Sequence, residues 1–293
     1  MKIVTTPYDI SDLDILNHAD AYIVGNSHYA VRLAHSFTIQ EIHDIIDKGH
    51  LLGKEVYISI NKIFVQNELE ELKTYLNAIE QYNPDGIIFA DLGVLNLAKK
   101  ANIVSKLIYN PETLIVNYQD MNFYLAQGIK AVIISKEVTL ENLKICGEKA
   151  NGNVGILGHG YYHLFYSKRK LIKNYFDYYH VSSEDYISNY SMYIKEHTRP
   201  EMFHIYQDEN GTSIMSSSAL SSLEYIRDIA ASGISFMIID GIFEDINYLS
   251  VMVDSYYVVL NNNKKITTDY FALMYPDHKY DSGYFFKKIS IRK

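Results

Sequence analysis

The chain has one cysteine, Cys146, and no tryptophan among its 293 residues. A single thiol excludes an intrachain disulfide framework and any all-cysteine metal or cluster site built from this chain alone. Cys146 reads as a small helix residue. No apolar run reaches the length of about 18 residues that a membrane-spanning helix needs. The opening KIVTT is too short for the apolar core of a signal peptide, and the polar DISDLD follows at once. The expectation is a cytoplasmic protein without a membrane partner. An excess of basic charge is also missing. The net charge of −8 argues against indiscriminate affinity for nucleic acid, though it leaves room for a local basic patch.

What is there suits one large α/β domain. Hydrophobic residues make up 48% and charged residues 21%, so a sizeable core is available. Eight short apolar runs recur: Ile3–Thr5, Ala21–Val24, Val56–Ile60, Gly86–Ala90, Leu107–Tyr109, Ala131–Ile134, Val154–Leu157 and Phe236–Ile239. Continuous apolar runs, unlike alternating ones, fit parallel strands buried on both faces. Between them Ile39, Ile42, Ile45 and Ile46, then Leu69, Leu72, Leu76 and Ile79, follow the helical period. Gly53, Pro84-Asp85-Gly86 and Gly128 punctuate turns ahead of strands. The pattern points to a (β/α)8 TIM-type barrel, one domain over 1–293, with a doubly wound open sheet as the competing topology.

In a barrel, functional groups gather at the C-terminal ends of the strands. The polar residues just past the runs are Thr6, Asn26, Asn61, Asp91, Asn110, Ser135 with Glu137, His159 and Asp240. Each alone is also a natural N-cap or turn former. Asn61, Asp91 and Asn110 are read as pocket residues.

The run Asn153–Leu171, NVGILGHGYYHLFYSKRKL, organises the rest. It reads as a short strand, a Gly-His-Gly break, and an aromatic and basic segment. From Gly160 to about Ser217 an insertion exceeds an ordinary βα loop several-fold, so it should carry a function or an interface. Lys168, Arg169, Lys170 and Lys173 are threaded among its tyrosines, from Tyr161 to Tyr193. Such a mixture can stack and hold single-stranded bases, or fill a protein interface. An A- and T-rich genome would also inflate tyrosine, and 27 Tyr with no Trp fits that. After the last strand a helix over Tyr248–Leu260 and a tail from about residue 261 are expected.

Known catalytic motifs do not match. HGYYH lacks the glutamate of HExxH, and GILGHG lacks the following helix and acid of a dinucleotide fingerprint. Neither GxxxxGK[ST] nor GxSxG occurs, and nothing places a base beside Cys146. Arg199, Asp208 and Glu209 read as polar anchors.

HGYYHLFYSKRKL nevertheless resembles the signature of the collagenase-like peptidases (peptidase family U-32): His-Gly, cysteine, Tyr-Ser-Gly-Arg, a second cysteine, then Leu. His159, Gly160, Tyr166, Ser167, Arg169 and Leu171 are kept. ELEELKTYLNAI with ADLGVL, HTRPEMFHIYQDENGT, GISFMIIDGI and DSGYFF are similar to further family blocks, in the family's order. The resemblance implies a barrel and either of two activities. One is a metal-dependent protease. The other is oxygen insertion without O₂, such as C5 hydroxylation of wobble uridine in tRNA, with an iron–sulfur cluster on four cysteines and with related chains working in pairs.

Here the first cluster cysteine aligns with His163, the second with Lys170 and the fourth with Ser221; the block with the third is missing. Lysine and serine are poor iron ligands beside thiolate. The expectation is a cluster-free subunit beside a longer, cysteine-bearing relative, with tRNA as a further partner. Tyr166, Ser167, Lys168, Arg169, Lys170 and Arg199 would then contact substrate or partner. A peptidase using Glu137, His159 and Asp240 as metal ligands or acid–base groups is the second expectation, and a non-enzymatic binding barrel the third.

Overall fold

The computed structural model describes residues 1–183, 192–198, 200–262 and 264–287. Seven parallel strands follow in order: β1 Lys2–Thr5, β2 Ala21–Gly25, β3 Glu55–Ile60, β4 Gly86–Phe89, β5 Leu107–Tyr109, β6 Ala131–Ile133 and β7 Asn153–Gly160. The eighth, β13 Phe236–Ile239, pairs in parallel with both β7 and β1, with Phe236 opposite Gly155 and Lys2. That double pairing closes the sheet into a TIM-type barrel and rules out the doubly wound alternative. All eight apolar runs of the sequence are barrel strands.

The barrel separates two apolar layers. Val4, Ala21, Tyr57, Ile88, Ile108, Ala131, Phe236 and Ile238 fill the interior. Gly155 has no side chain there because a Cβ would run into the ring of Phe236. The opposite strand faces meet the helices α1 Asp12–Ile15, α2 Ile39–Leu51, α3 Leu69–Glu80, α4 Leu92–Ala101, α5 Tyr118–Leu125 and α6 Leu140–Glu148. Burial of Ile42, Ile45 and Ile46 on α2, and of Leu72, Leu76 and Ile79 on α3, follows from their helical spacing. Cys146 is buried on α6.

The Gly-His-Gly break is corrected. β7 continues through Gly160, because Gly160 and His159 pair with Leu220 and Ser221 of the antiparallel strand β12 Ala219–Ser221. The insertion, whose residues 184–191 and Arg199 lie outside the described residues, contains its own sheet. β8 His163–Ser167, β9 Tyr193–Lys195, β10 Met202–Asp208 and β11 Gly211–Met215 are antiparallel in the order β8-β11-β10-β9. α7 Leu171–Tyr178 packs on it.

The sheet is fastened to the barrel by aromatic contacts. His204 stacks on Phe243 at 4.6 Å and meets Tyr161 edge-on at 4.5 Å. After β12 come α8 Ile226–Ala231 and, beyond β13, α9 Ile246–Asn261 and α10 Thr268–Met274. The tail then adds β14 Tyr280–Asp281 beside β12, a pairing the sequence reading did not expect.

Candidate functional site at the barrel mouth

The loops after β2 and β5 and the start of β8 bring three distant side chains together. Arg32 donates through Nε to Glu112 Oε1 at 3.0 Å, and its Nη2 reaches the same oxygen. Glu112 Oε2 lies 2.6 Å from His163 Nδ1. Little of these side chains meets solvent: 10% of Arg32, 19% of Glu112 and 14% of His163. Burial alone would raise the Glu112 carboxyl, but Arg32, the His163 hydrogen bond and Lys136 outweigh it and hold it well below the usual carboxylate range. Arg32 and Glu112 both have left-handed backbones, with φ of 55° and 65°. Non-glycine residues seldom adopt that conformation, and such strain concentrates at functional sites.

A cavity of about 120 Å3 opens at the C-terminal ends of the strands. Ile23, Ile88, Ile133, Leu157 and Ile238 form its apolar floor, and Thr6, Ser59, Asn61, Asn110, Lys136 and Asp240 its polar wall. Arg32, Glu112 and His163 border it, with Tyr161, Tyr162 and Met215 closing the side toward the insertion. Burial pushes Asp240 up to about 6, with Glu112 adding to the rise, against the pull of Arg32 and of its hydrogen bond from Ile242 N–H at 2.9 Å. Burial also draws Lys136 down, against the opposing effect of Glu112 and Glu137. The mouth therefore offers a carboxyl that exchanges its proton near neutral pH beside a fixed Arg–Glu–His chain, a set able to bind and to move protons.

The predicted site residues divide. Asn61, Asn110 and Asp240 line the cavity, and Tyr166 lines a second one outside it. Asp91 does not: it caps α4, accepting from Gly93 N–H at 2.7 Å and from Phe64 N–H at 2.9 Å. Glu137 also lies off the cavity, with its backbone N–H held by Ser135 Oγ at 3.2 Å, while its neighbour Lys136 lines it.

His159 is the clearest correction. It is 0% exposed, and Nε2 lies 2.8 Å from the Tyr248 hydroxyl, among the rings of Tyr256, Phe271 and Tyr280. On β7 it points away from the interior, into the layer under α9. Burial, with His278 in support, draws it down to about 3, so it stays neutral. It cannot share a metal or a proton with Asp240 across the barrel wall.

Among the basic residues, Lys168 donates to Ile63 O at 2.7 Å, Arg169 N–H is held by Ser167 Oγ at 3.2 Å, and Lys170 sits exposed at the start of α7. Arg32, Glu112, Lys136, Tyr161 and Tyr162 are the site residues that the sequence reading missed. Glu112 lies two residues past Asn110 and Lys136 one past Ser135, so reading each whole post-strand loop would have reached both.

Among the described residues, no three His, Cys, Asp or Glu side chains are grouped to hold a metal ion. Nor is any helix there long and apolar enough to cross a membrane. The tRNA hydroxylation protein P2 of Bacillus subtilis is 27% identical over 98% of both chains. The tRNA hydroxylation protein P1 of the same organism is 25% identical over 83% of this chain, which spans 58% of that longer protein. A solved U32 peptidase, Mk0906, shares the fold with a TM-score of 0.53 at 12% identity, over 82% of this chain and 92% of that one. The model of peptidase family U32 matches residues 11–292, and the chain belongs to that family.

Proposed function

We propose that this chain is a subunit of a tRNA wobble-uridine C5-hydroxylation system, working beside a longer, cysteine-bearing relative. The observation that carries the reading is the full-length likeness to a protein named for tRNA hydroxylation, together with the partial likeness to a longer one of the same name from the same organism.

The residues at the family's cluster positions do not suit an iron–sulfur cluster. His163 has Nδ1 engaged by Glu112, Lys170 is an exposed ammonium, and Ser221 Oγ is bonded by Thr268 Oγ1 at 3.2 Å. Cys146 is buried in the core on α6. An imidazole, an ammonium and a hydroxyl do not replace cluster thiolates, so the cluster is assigned to the relative and no step is routed through it here. The exposed turn Lys168–Lys170 supplies charge for RNA phosphates. The exposed tyrosines of the following helical segment, Tyr175, Tyr178 and Tyr179, supply apolar area for the relative. A cytoplasmic location follows from the same reading.

The peptidase alternative has less support, because it needs Glu137, His159 and Asp240 in one place and only Asp240 lines the cavity. Nucleoside mass spectrometry of tRNA from a strain lacking this gene tests the proposal. Loss of 5-hydroxyuridine derivatives, restored by the wild-type gene, is expected. An unchanged profile with any redundant hydroxylase also removed would sink it.

A further inference from the structure

The polar wall of the barrel mouth has spent most of its acceptors inside the protein. Glu112 gives one carboxylate oxygen to Arg32 and the other to His163. Asn61 accepts from Val31 N–H at 2.8 Å and donates to Val31 O at 3.1 Å, and Thr6 Oγ1 accepts from Gly241 N–H at 2.8 Å. Asn110 Oδ1 accepts from Glu112 N–H at 3.3 Å. Three side-chain donors of the lining have no acceptor among the described residues: the Lys136 ammonium, the Asn110 amide nitrogen and the Ser59 hydroxyl. None of the three is sealed from accessible space. We propose that the barrel mouth binds a small aliphatic carboxylate, its charged end on Lys136, Asn110 and Ser59 and its hydrocarbon body on the apolar floor.

Lys136 sets the charge. It is half-buried and makes no ion pair among the described residues, feeling Glu112 and Glu137 only at longer range. Charges withdrawn from water are normally paired, and a bound anion supplies the missing counter-charge. The other cation of the wall, Arg32, is already neutralised by Glu112.

Topology separates the anion from the remaining carboxyl. Ser59 is near the end of β3, Asn110 just past β5 and Lys136 past β6, whereas Asp240 follows β13, which lies opposite β4 in the closed ring. Size and surface choose the body of the ligand. The cavity of about 120 Å3 is somewhat smaller than the roughly 150 Å3 that holds benzene, so about six heavy atoms fit. Its floor of isoleucine and leucine side chains favours a hydrocarbon chain, and would leave oxygens of a free phosphate on apolar surface without partners.

The test is a titration of the purified full chain, isoleucine-labelled for methyl NMR, with butyrate. Saturable shifts of the Ile23, Ile88, Ile133 and Ile238 δ1 methyls are expected, since these side chains form the floor. Butyramide, which has the same shape without the charge, and inorganic phosphate should not reproduce them. Lys136→Met should weaken butyrate binding by roughly 10- to 100-fold, the worth of one charge-assisted hydrogen bond. Lys100→Met, which removes an exposed lysine on α4, should bind as wild type. No saturable shift of the floor methyls, equal shifts with butyramide or phosphate, or unchanged affinity in Lys136→Met would overturn the site. Should Lys136→Met fail to fold, the comparison of butyrate with butyramide on the wild-type chain still decides. The site does not rest on the tRNA reading, which is tested separately in the deletion strain.

Discussion

His163 Nδ1 and Glu112 Oε2 lie 2.6 Å apart, although 51 residues of chain separate them. One belongs to the insertion and the other to the loop after a barrel strand. Their contact therefore ties the added sheet to the barrel face at the C-terminal ends of the strands, and Arg32 extends the tie to a third loop.

Breaking this chain should be costly. Glu112→Gln leaves the guanidinium of Arg32 buried without its counter-charge, and loss of one member of a buried ion pair costs about 3–5 kcal/mol. A Tm lowered by roughly 10 °C is expected in a thermal melt. The double variant Arg32→Met with Glu112→Leu should lose less than the sum of the two single changes. Additive losses would show that the pair is not coupled.

Stability should fall as pH rises from about 4 to about 7. Asp240 and Glu244 are raised to about 6 and about 7, both chiefly by burial, with His278 opposing the rise at Glu244. Each holds its proton more tightly folded than unfolded, so its stabilising contribution is complete below about pH 4 and is lost as pH climbs through the folded value. Glu112 has the opposite sign and loses its contribution only as pH falls below about 4. Melts between pH 5 and 8 should show a declining Tm, flattened in Asp240→Asn and Glu244→Gln. An unchanged slope in both variants would refute the assignment.

His159 should prove structural. His159→Phe removes one of the partners of the buried Tyr248 hydroxyl, which keeps its contact with the Tyr280 hydroxyl, at a cost of about 1 kcal/mol. Complementation of the deletion strain should nevertheless restore the tRNA profile to the extent that folded protein accumulates. A stable His159→Phe protein that fails to complement would return this histidine to the chemistry.

Gly211→Ala tests how the added sheet is built. Gly211 has φ of 141°, and a Cβ there would collide with the backbone oxygen of Ser167 on the paired strand β8. Loss of amide-exchange protection confined to β8, β10 and β11 is expected, with the barrel strands still protected. Uniform unfolding of both sheets would mean that the insertion and the barrel form one cooperative unit.

The chain itself determined the barrel. Its strands are buried on both faces, so they appear as continuous apolar runs, and the amphipathic helices declare their buried sides by spacing, as Ile42, Ile45 and Ile46 do on α2. The family was legible too, because HGYYHLFYSKRKL and the four further segments are local strings. The site was legible only in part. Thr6, Asn61, Asn110 and Asp240 stand directly at strand ends, where the fold requires the cavity to be.

Tertiary structure alone decided the rest. Strict alternation from Leu157, which lines the cavity, would turn His159 inward as well; the register shift against β13, where Leu157 pairs with Ile238 and His159 with Ile239, turns it into the helix layer. Arg32, Glu112 and His163 meet by loop closure between segments 51 to 80 residues apart, which no local pattern records. Lys136 is set apart from Glu137 by facing the cavity, a direction fixed by the closed barrel and invisible in the order of residues.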